Sequence, residues 1–367
     1  MRRRWEIPAL AGLLAFGTGP SGQAQEPAAI GVEPPPIEAE APMVEPPPTW
    51  RWKLADRPVK VVVLAGSIGA WPKQPYAERL AKMCKHVEVK NLSKVGFGAF
   101  QLRQRFKQQV LERLPQLKAA GNEYWLVFQG GLNSVGTPER TNHDIREMFV
   151  LAHSKGFKVV GLTLTPWGDE TDKRWAGTAG LRYLRATTRV VDFVLGALTP
   201  AEALGEFAGR RAAGAGAAWQ PDEQADVAVD LYRSALRAED RPLRDAAALE
   251  RSLTKDRGWQ AAHADLAEDA RTAAMRSDAA TAAEIPRWFL REELRSFDHI
   301  HPNSEGHRLI AEAACPRLPA SWGCECPNAP TTTPASPAVQ RPAAPNLLLL
   351  LYPPWLRTLL GLPRTVR

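Results

Sequence analysis

Four short blocks of this sequence carry side chains that could do chemistry together. Ser67 follows the apolar run "VVVLAG" (61–66) and sits between Gly66 and Gly69. A serine at such a corner can cap a helix, bind a phosphate or attack a carbonyl. A hydroxyl attacks only when a base takes its proton. "SFDHIHPNSEGH" (296–307) supplies an imidazole, His301, and a carboxylate, Asp298, three residues before it. Attack on a carbonyl creates an oxyanion, which needs preorganised donors. The backbone N–H groups of Ser67 and of Gly96 (in "NLSKVGFG", 91–98) and the side-chain amide of Asn133 (in "GGLNSVG", 130–136) are three such donors. Taken singly, Ser67 reads as a helix cap and Asn133 as a turn residue. Gly98 competes with Gly96, and His299 and His307 compete with His301. Only His301 both follows an Asp by three residues and directly precedes Pro-Asn and a helix start; His307 reads as a helix-surface residue.

These pieces act together only if the fold gathers them. "VKVVVLAG" (59–66) reads as a strand buried on both faces, and "VEVKNL" (87–92), "EYWLVFQG" (123–130) and "KVVGLTLTP" (158–166) as further strands. "DVAVDLY" (226–232) is a fifth, with "TRVVDFVLG" (188–196) as its competitor. Helical patterns separate them: "PYAERLAKMCK" (75–85), "FQLRQRFKQQVLERL" (100–114) and "NHDIREMFVLAHSKG" (142–156). Alternation of this kind predicts an α/β fold: a three-layer α/β/α arrangement around a doubly wound, mostly parallel five-stranded sheet, with Ala-rich helical insertions. Ligands of such sheets bind at the carboxyl ends of the strands, where all four blocks fall. A helix starting just after Ser67 would add its positive end to the site.

The chain has 367 residues, a formal net charge of +7 and 32 prolines crowded toward its two ends. No Lys/Arg block lies in the middle, so the basic balance argues against a nucleic-acid partner. Residues 1–24 read as a signal peptide, with three arginines ahead of "IPALAGLLAFG". Residues 25–56 read as a Pro/Glu-rich linker and 57–326 as the folded domain, with a helical insertion at about 237–290. Residues 327–345 read as a Pro/Thr-rich linker, and 346–367 as an apolar tail suited to contact with a membrane surface. Export to the periplasm or beyond fits four cysteines used as disulfides. Cys84 ends the first helix and Cys315 the last, which makes a Cys84–Cys315 bridge sensible; Cys315–Cys324 is its rival. No metal-ligand spacing stands out. Of twelve tryptophans, Trp71 and Trp167 lie near strand ends, where a sugar ring could stack.

At these blocks the sequence resembles the SGNH hydrolases, the GDSL-type esterases and lipases. "AGSI" stands where the family has its serine block and gives Ser67. "NLSKVG" gives Gly96, "GLNS" gives Asn133, and "DHIH" gives Asp298 and His301. The resemblance spans roughly residues 58–316. It departs in having Ala65-Gly66 in place of Gly-Asp, and Ser134 where Asp is common. It implies a serine esterase, forming an acyl-enzyme on Ser67 and needing no cofactor or metal; together with the signal-like N-terminus it points to a short acyl group on an envelope or extracellular glycan, or on a small molecule. An O-acyltransferase using the same residues and a catalytically silent envelope-binding domain are the rival readings. The 61–72 corner lacks the glycine fingerprint of dinucleotide binding and the lysine of a P-loop.

Overall fold

The computed structural model describes residues 50–209 and 218–327. The expected signal peptide, residues 25–49, the Pro/Thr linker beyond Pro327 and the apolar tail lie outside the described residues. Strand β1 (Val59–Ala65) is buried along its whole length, as a run of β-branched residues with few polar breaks dictates. It pairs in parallel with β2 (Val87–Asn91) on one side and β3 (Glu123–Gln129) on the other, so that Val63 lies opposite both Asn91 and Val127. Beyond β3 come β4 (Lys158–Leu162) and β5 (Val227–Val229), giving the order β2-β1-β3-β4-β5. The chain leaves β1 toward one edge and returns on the other side. The crevice at the carboxyl ends of β1 and β3 is therefore the switch point of the sheet, where such folds bind ligands.

Side-chain alternation divides the core in two. Val62, Leu64, Leu126 and Phe128 face the layer made by α2 (Ala99–Gln109), α4 (Pro138–Ser154) and α5 (Gly180–Val194). Val61, Val63, Trp125 and Val127 face α1 (Tyr76–Met83) and α10 (Ser304–Ala314). The shorter α3 (Leu114–Leu117) and α6 (Pro200–Leu204) complete the first layer's connections. The five-stranded three-layer expectation holds, with 226–232 supplying β5. Its competitor, 188–196, lies largely in α5, because Leu184, Val190, Val191 and Val194 recur at helical spacing and form that helix's buried stripe.

Within 237–290 the chain forms α7 (Ala246–Leu253), α8 (Arg257–Ala262) and α9 (Glu268–Glu284). Asp245 caps α7 through the N–H groups of Ala247 and Ala248, and Asp256 caps α8 through that of Trp259. Trp259 Nε1 donates to Asp278 at 2.8 Å, and Asp278 also pairs with Arg185 of α5. The insertion thus packs beside the core, on the α5 layer. At the other boundary the domain begins earlier than residue 57. Trp50 is only 8% exposed and donates through Nε1 to the carbonyl of Gln109.

The disulfides are Cys84–Cys324 and Cys315–Cys326, which corrects both pairings expected from the sequence, Cys84–Cys315 and Cys315–Cys324. Helices α1 and α10 do pack against each other. After α10, however, the chain doubles back and runs antiparallel to residues 83–86. Lys85 N–H donates to the Gly323 carbonyl, His86 N–H to that of Trp322, and Glu325 N–H to that of Met83. That return path puts Cys324 opposite Cys84 and leaves Cys326 for Cys315. Gly323 permits it with φ +61, where a Cβ would meet the His86 ring at 2.7 Å. Trp322, fully buried edge-on against Trp125, anchors the segment. No helix among the described residues is long and apolar enough to cross a membrane.

Candidate active site

Three separate segments bring their side chains to the switch point. Ser67 lies in the turn directly after β1, and His301 Nε2 lies 2.7 Å from its Oγ. On the other side of the ring, His301 Nδ1 lies 2.8 Å from Asp298 Oδ2. Asp298 Oδ1 accepts the backbone N–H groups of Ile300 (2.9 Å) and His301 (2.8 Å), so the carboxylate is clamped by the very loop it orients. Burial alone would raise the Asp298 pKa. The two N–H bonds and the His301 ring outweigh it and hold the carboxyl below the usual carboxylate range. Asn303, which follows directly, caps α10 through the N–H of Gly306 and ties the loop back to the carbonyls of Glu293 and Arg295.

The helix expected just after Ser67 is not there. Residues 67–70 form a turn, and α1 begins at Tyr76 with Pro75 at its N-cap. Pro72 and Pro75 disfavour helical backbone in the residues before them, which explains the gap. The end of β2 secures the turn instead: Asn91 Nδ2 donates to the Gly69 carbonyl at 2.7 Å.

Of the expected oxyanion donors, the backbone N–H of Ser67 makes no hydrogen bond among the described residues. Asn133 follows β3 and spends one amide hydrogen on the Phe97 carbonyl at 3.0 Å, leaving the other. Its Nδ2 would lie 3.4 Å from a Cβ at position 66, a close approach that Gly66 permits. Gly96 lies in an exposed loop at φ +80, with its N–H unengaged among the described residues. Gly98 is not an equivalent donor, since its N–H is taken by Gln101. Ser134, standing where the resemblance expects Asp, accepts the N–H of Ala99 and so ties this block to the start of α2.

Beside Ser67 lies a recess of about 10 Å³, walled by Gly66, Ile68, Phe97, Leu132, Asn133 and Leu164. That is room for about one water molecule or a methyl group. On the His301 side lie Trp71, half-buried with its ring centre 6.3 Å from that of His301, and Phe297, 5.2 Å from it. Phe297 is 76% exposed. Composition does not mark this ring; only its place beside Asp298 points to it.

Trp167 corrects an expectation. It is 1% exposed, donates to Thr187 Oγ1 and packs against Trp175 in the core. The chain after β4 stays buried through residues 163–168, so proximity to a strand end does not bring this ring to the site. His299 turns away from Ser67, with Nε2 2.8 Å from Asp172. His307 is not on a helix surface. It lies on the buried stripe of α10, fully enclosed, stacked on Trp71 and Tyr76 and without a partner for either ring nitrogen among the described residues. Burial first, then the charges of Arg79 and His301, push its pKa down to about 4. The folded state therefore favours neutral His307, while the unfolded chain takes up the proton near pH 6.5. This contribution to stability is present above that pH and lost as pH falls toward 4, amounting to about 3 kcal/mol. In thermal melts, wild type should lose stability between pH 7 and 4 more steeply than His307→Leu; parallel pH profiles would contradict this.

No family model matches the chain, and no curated protein matches it in sequence. Solved structures do. A GDSL-like lipase from Bacteroides thetaiotaomicron is 12% identical at TM-score 0.38, over 69% of this chain and 84% of that one. A putative acylhydrolase from Bacteroides fragilis is 14% identical at TM-score 0.37, over 69% and 83%. A member of the lipolytic G-D-S-L family from Veillonella parvula is 11% identical at TM-score 0.38, over 70% and 96%. These likenesses are distant, and the functional reading stands on the site itself.

Proposed function

We propose that this chain is an SGNH-type serine hydrolase that cleaves short acyl esters, acetyl above all, from a glycan. The contact of 2.7 Å between Ser67 Oγ and His301 Nε2, with Asp298 behind the ring, carries the reading. His301 takes the Ser67 proton as Oγ bonds to the ester carbonyl carbon. The oxyanion is received by the N–H of Ser67 and the remaining amide hydrogen of Asn133, with the N–H of Gly96 as third donor. His301 then passes its proton to the departing alcohol oxygen as the C–O bond breaks. Water repeats the sequence on acyl-Ser67, freeing the acid and restoring the serine.

Two features support the substrate class. The recess beside Ser67 suits a methyl group and little more. Trp71 and Phe297 present rings on the His301 side, where the alcohol must receive its proton, and ring faces stack well on the C–H faces of sugars. Two disulfides indicate an oxidising compartment and support export.

A panel of p-nitrophenyl esters tests the acyl side. Each added methylene should cost about 1–3 kcal/mol in a full recess. kcat/KM should fall at least about 30-fold from acetate to butyrate, and Leu164→Ala should recover part of the butyrate rate. Equal turnover of acetate and octanoate by wild type would refute the acetyl assignment. Release of free acetate without an acceptor sugar distinguishes hydrolysis from acyl transfer.

A further inference from the structure

The Asp298–His301 loop is not held by α10 alone. The segment after β4 grips it at four points. Gly168 N–H donates to the His299 carbonyl at 2.8 Å. His299 Nε2 lies 2.8 Å from Asp172 Oδ2, and its Nδ1 lies 3.8 Å from Asp169 Oδ2. Arg295 Nη1 meets the same Asp169 oxygen at 3.2 Å. Asp172 is 7% exposed and is fixed in turn by Arg174, which gives it a backbone N–H at 2.9 Å and a guanidinium Nε at 3.0 Å. The Arg174 guanidinium lies over the ring of Trp167, 4.7 Å from its centre, and Trp167 is part of the core. At Gly168, φ is +100 and a Cβ would come within 2.2 Å of Trp175 Nε1, so only glycine lets the chain turn into this contact.

A continuous chain of contacts therefore runs from the core through Trp167, Arg174 and Asp172 to His299, two residues before His301. We propose that Asp172 and His299 form a positioning latch that holds the Asp298–His301 arm at hydrogen-bond distance from Ser67. The latch rests on the reading of His301 as the base. A nearly buried carboxylate is costly unless paired. Here one of its partners is the ring on the loop whose placement decides the reaction. Because a shift of about 1 Å at a reacting group can cost about 100-fold in rate, a pair that never touches substrate can still set kcat.

The test uses the full chain and four variants: His299→Ala, His299→Gln, Asp172→Asn and, as a control in the same segment, Lys173→Ala, whose side chain is exposed. The readouts are kcat and KM for an acetate ester and the downfield proton NMR signal of the hydrogen bond between His301 Nδ1 and Asp298. His299→Ala should lower kcat about 10- to 100-fold with KM nearly unchanged, and should broaden or shift the signal. His299→Gln, whose amide can still donate to Asp172, should recover most of both. Asp172→Asn retains the volume and should fall between them, and Lys173→Ala should match wild type. A folded His299→Ala protein with wild-type kcat and signal would overturn the latch, as would a Gln variant no better than the Ala variant. If wild type itself lacks esterase activity, the functional reading fails, while the NMR signal still decides whether the pair positions His301.

Discussion

Ser67→Ala should lower kcat for the acetate ester by about 10,000- to a million-fold, the range seen when a serine nucleophile is removed from a triad. Among the described residues the Ser67 hydroxyl is the one partner at hydrogen-bond distance from His301 Nε2. The protein should fold normally, since Ser67 lies half-buried in a turn and makes no other side-chain hydrogen bond among the described residues. Adding His301→Ala to this variant should cost little more, because the two groups act as one unit. A double variant much slower than either single variant would show that they act independently. Circular dichroism and thermal melts alongside the kinetics separate lost chemistry from lost fold.

Asp298→Asn should lower kcat about 10,000-fold with KM little changed. The asparagine can still accept from the N–H groups of Ile300 and His301, so the loop should keep its shape. What is lost is the charge that fixes the tautomer of the ring and stabilises the imidazolium formed during attack. The wild-type carboxyl is held below the usual carboxylate range, so it stays ionised through the mildly acidic region. Its contribution to stability is present above the unfolded-state value of about 3.9 and is lost as pH falls through the lower folded value. The acid limb of the kcat/KM profile above pH 5 should therefore not come from Asp298. A wild-type limb with a midpoint at an ordinary carboxylate value that disappears in Asp298→Asn would contradict this.

Much of this was legible because the signals are local. "VKVVVLA" can only be a buried strand, and Asp298-x-x-His301 before Pro302-Asn303 fits one loop followed by a capped helix. Asn133 and Ser67 were placeable because they end strands that neighbour each other at the switch point. Two of the errors share a cause: each depended on where the chain goes after an element. Cys84 meets Cys324 because the segment after α10 turns back beside residues 83–86, a path that spacing does not encode. Trp167 is buried because the segment beyond β4 continues inward. His307 faces inward because α10 presents 306, 307, 310, 311 and 314 to the core, a stripe in which polar histidine gave the wrong sign. The missing helix after Ser67 was readable in principle, since Pro72 and Pro75 stand in its way.

The most direct measurement is covalent: treat the full-length protein with a fluorophosphonate and map the adduct by mass spectrometry. A nucleophile activated by His301 predicts stoichiometric labelling of the peptide carrying Ser67, suppressed in His301→Ala. Folded wild-type protein that stays unlabelled, or that carries the adduct on another residue, would contradict the assignment of Ser67.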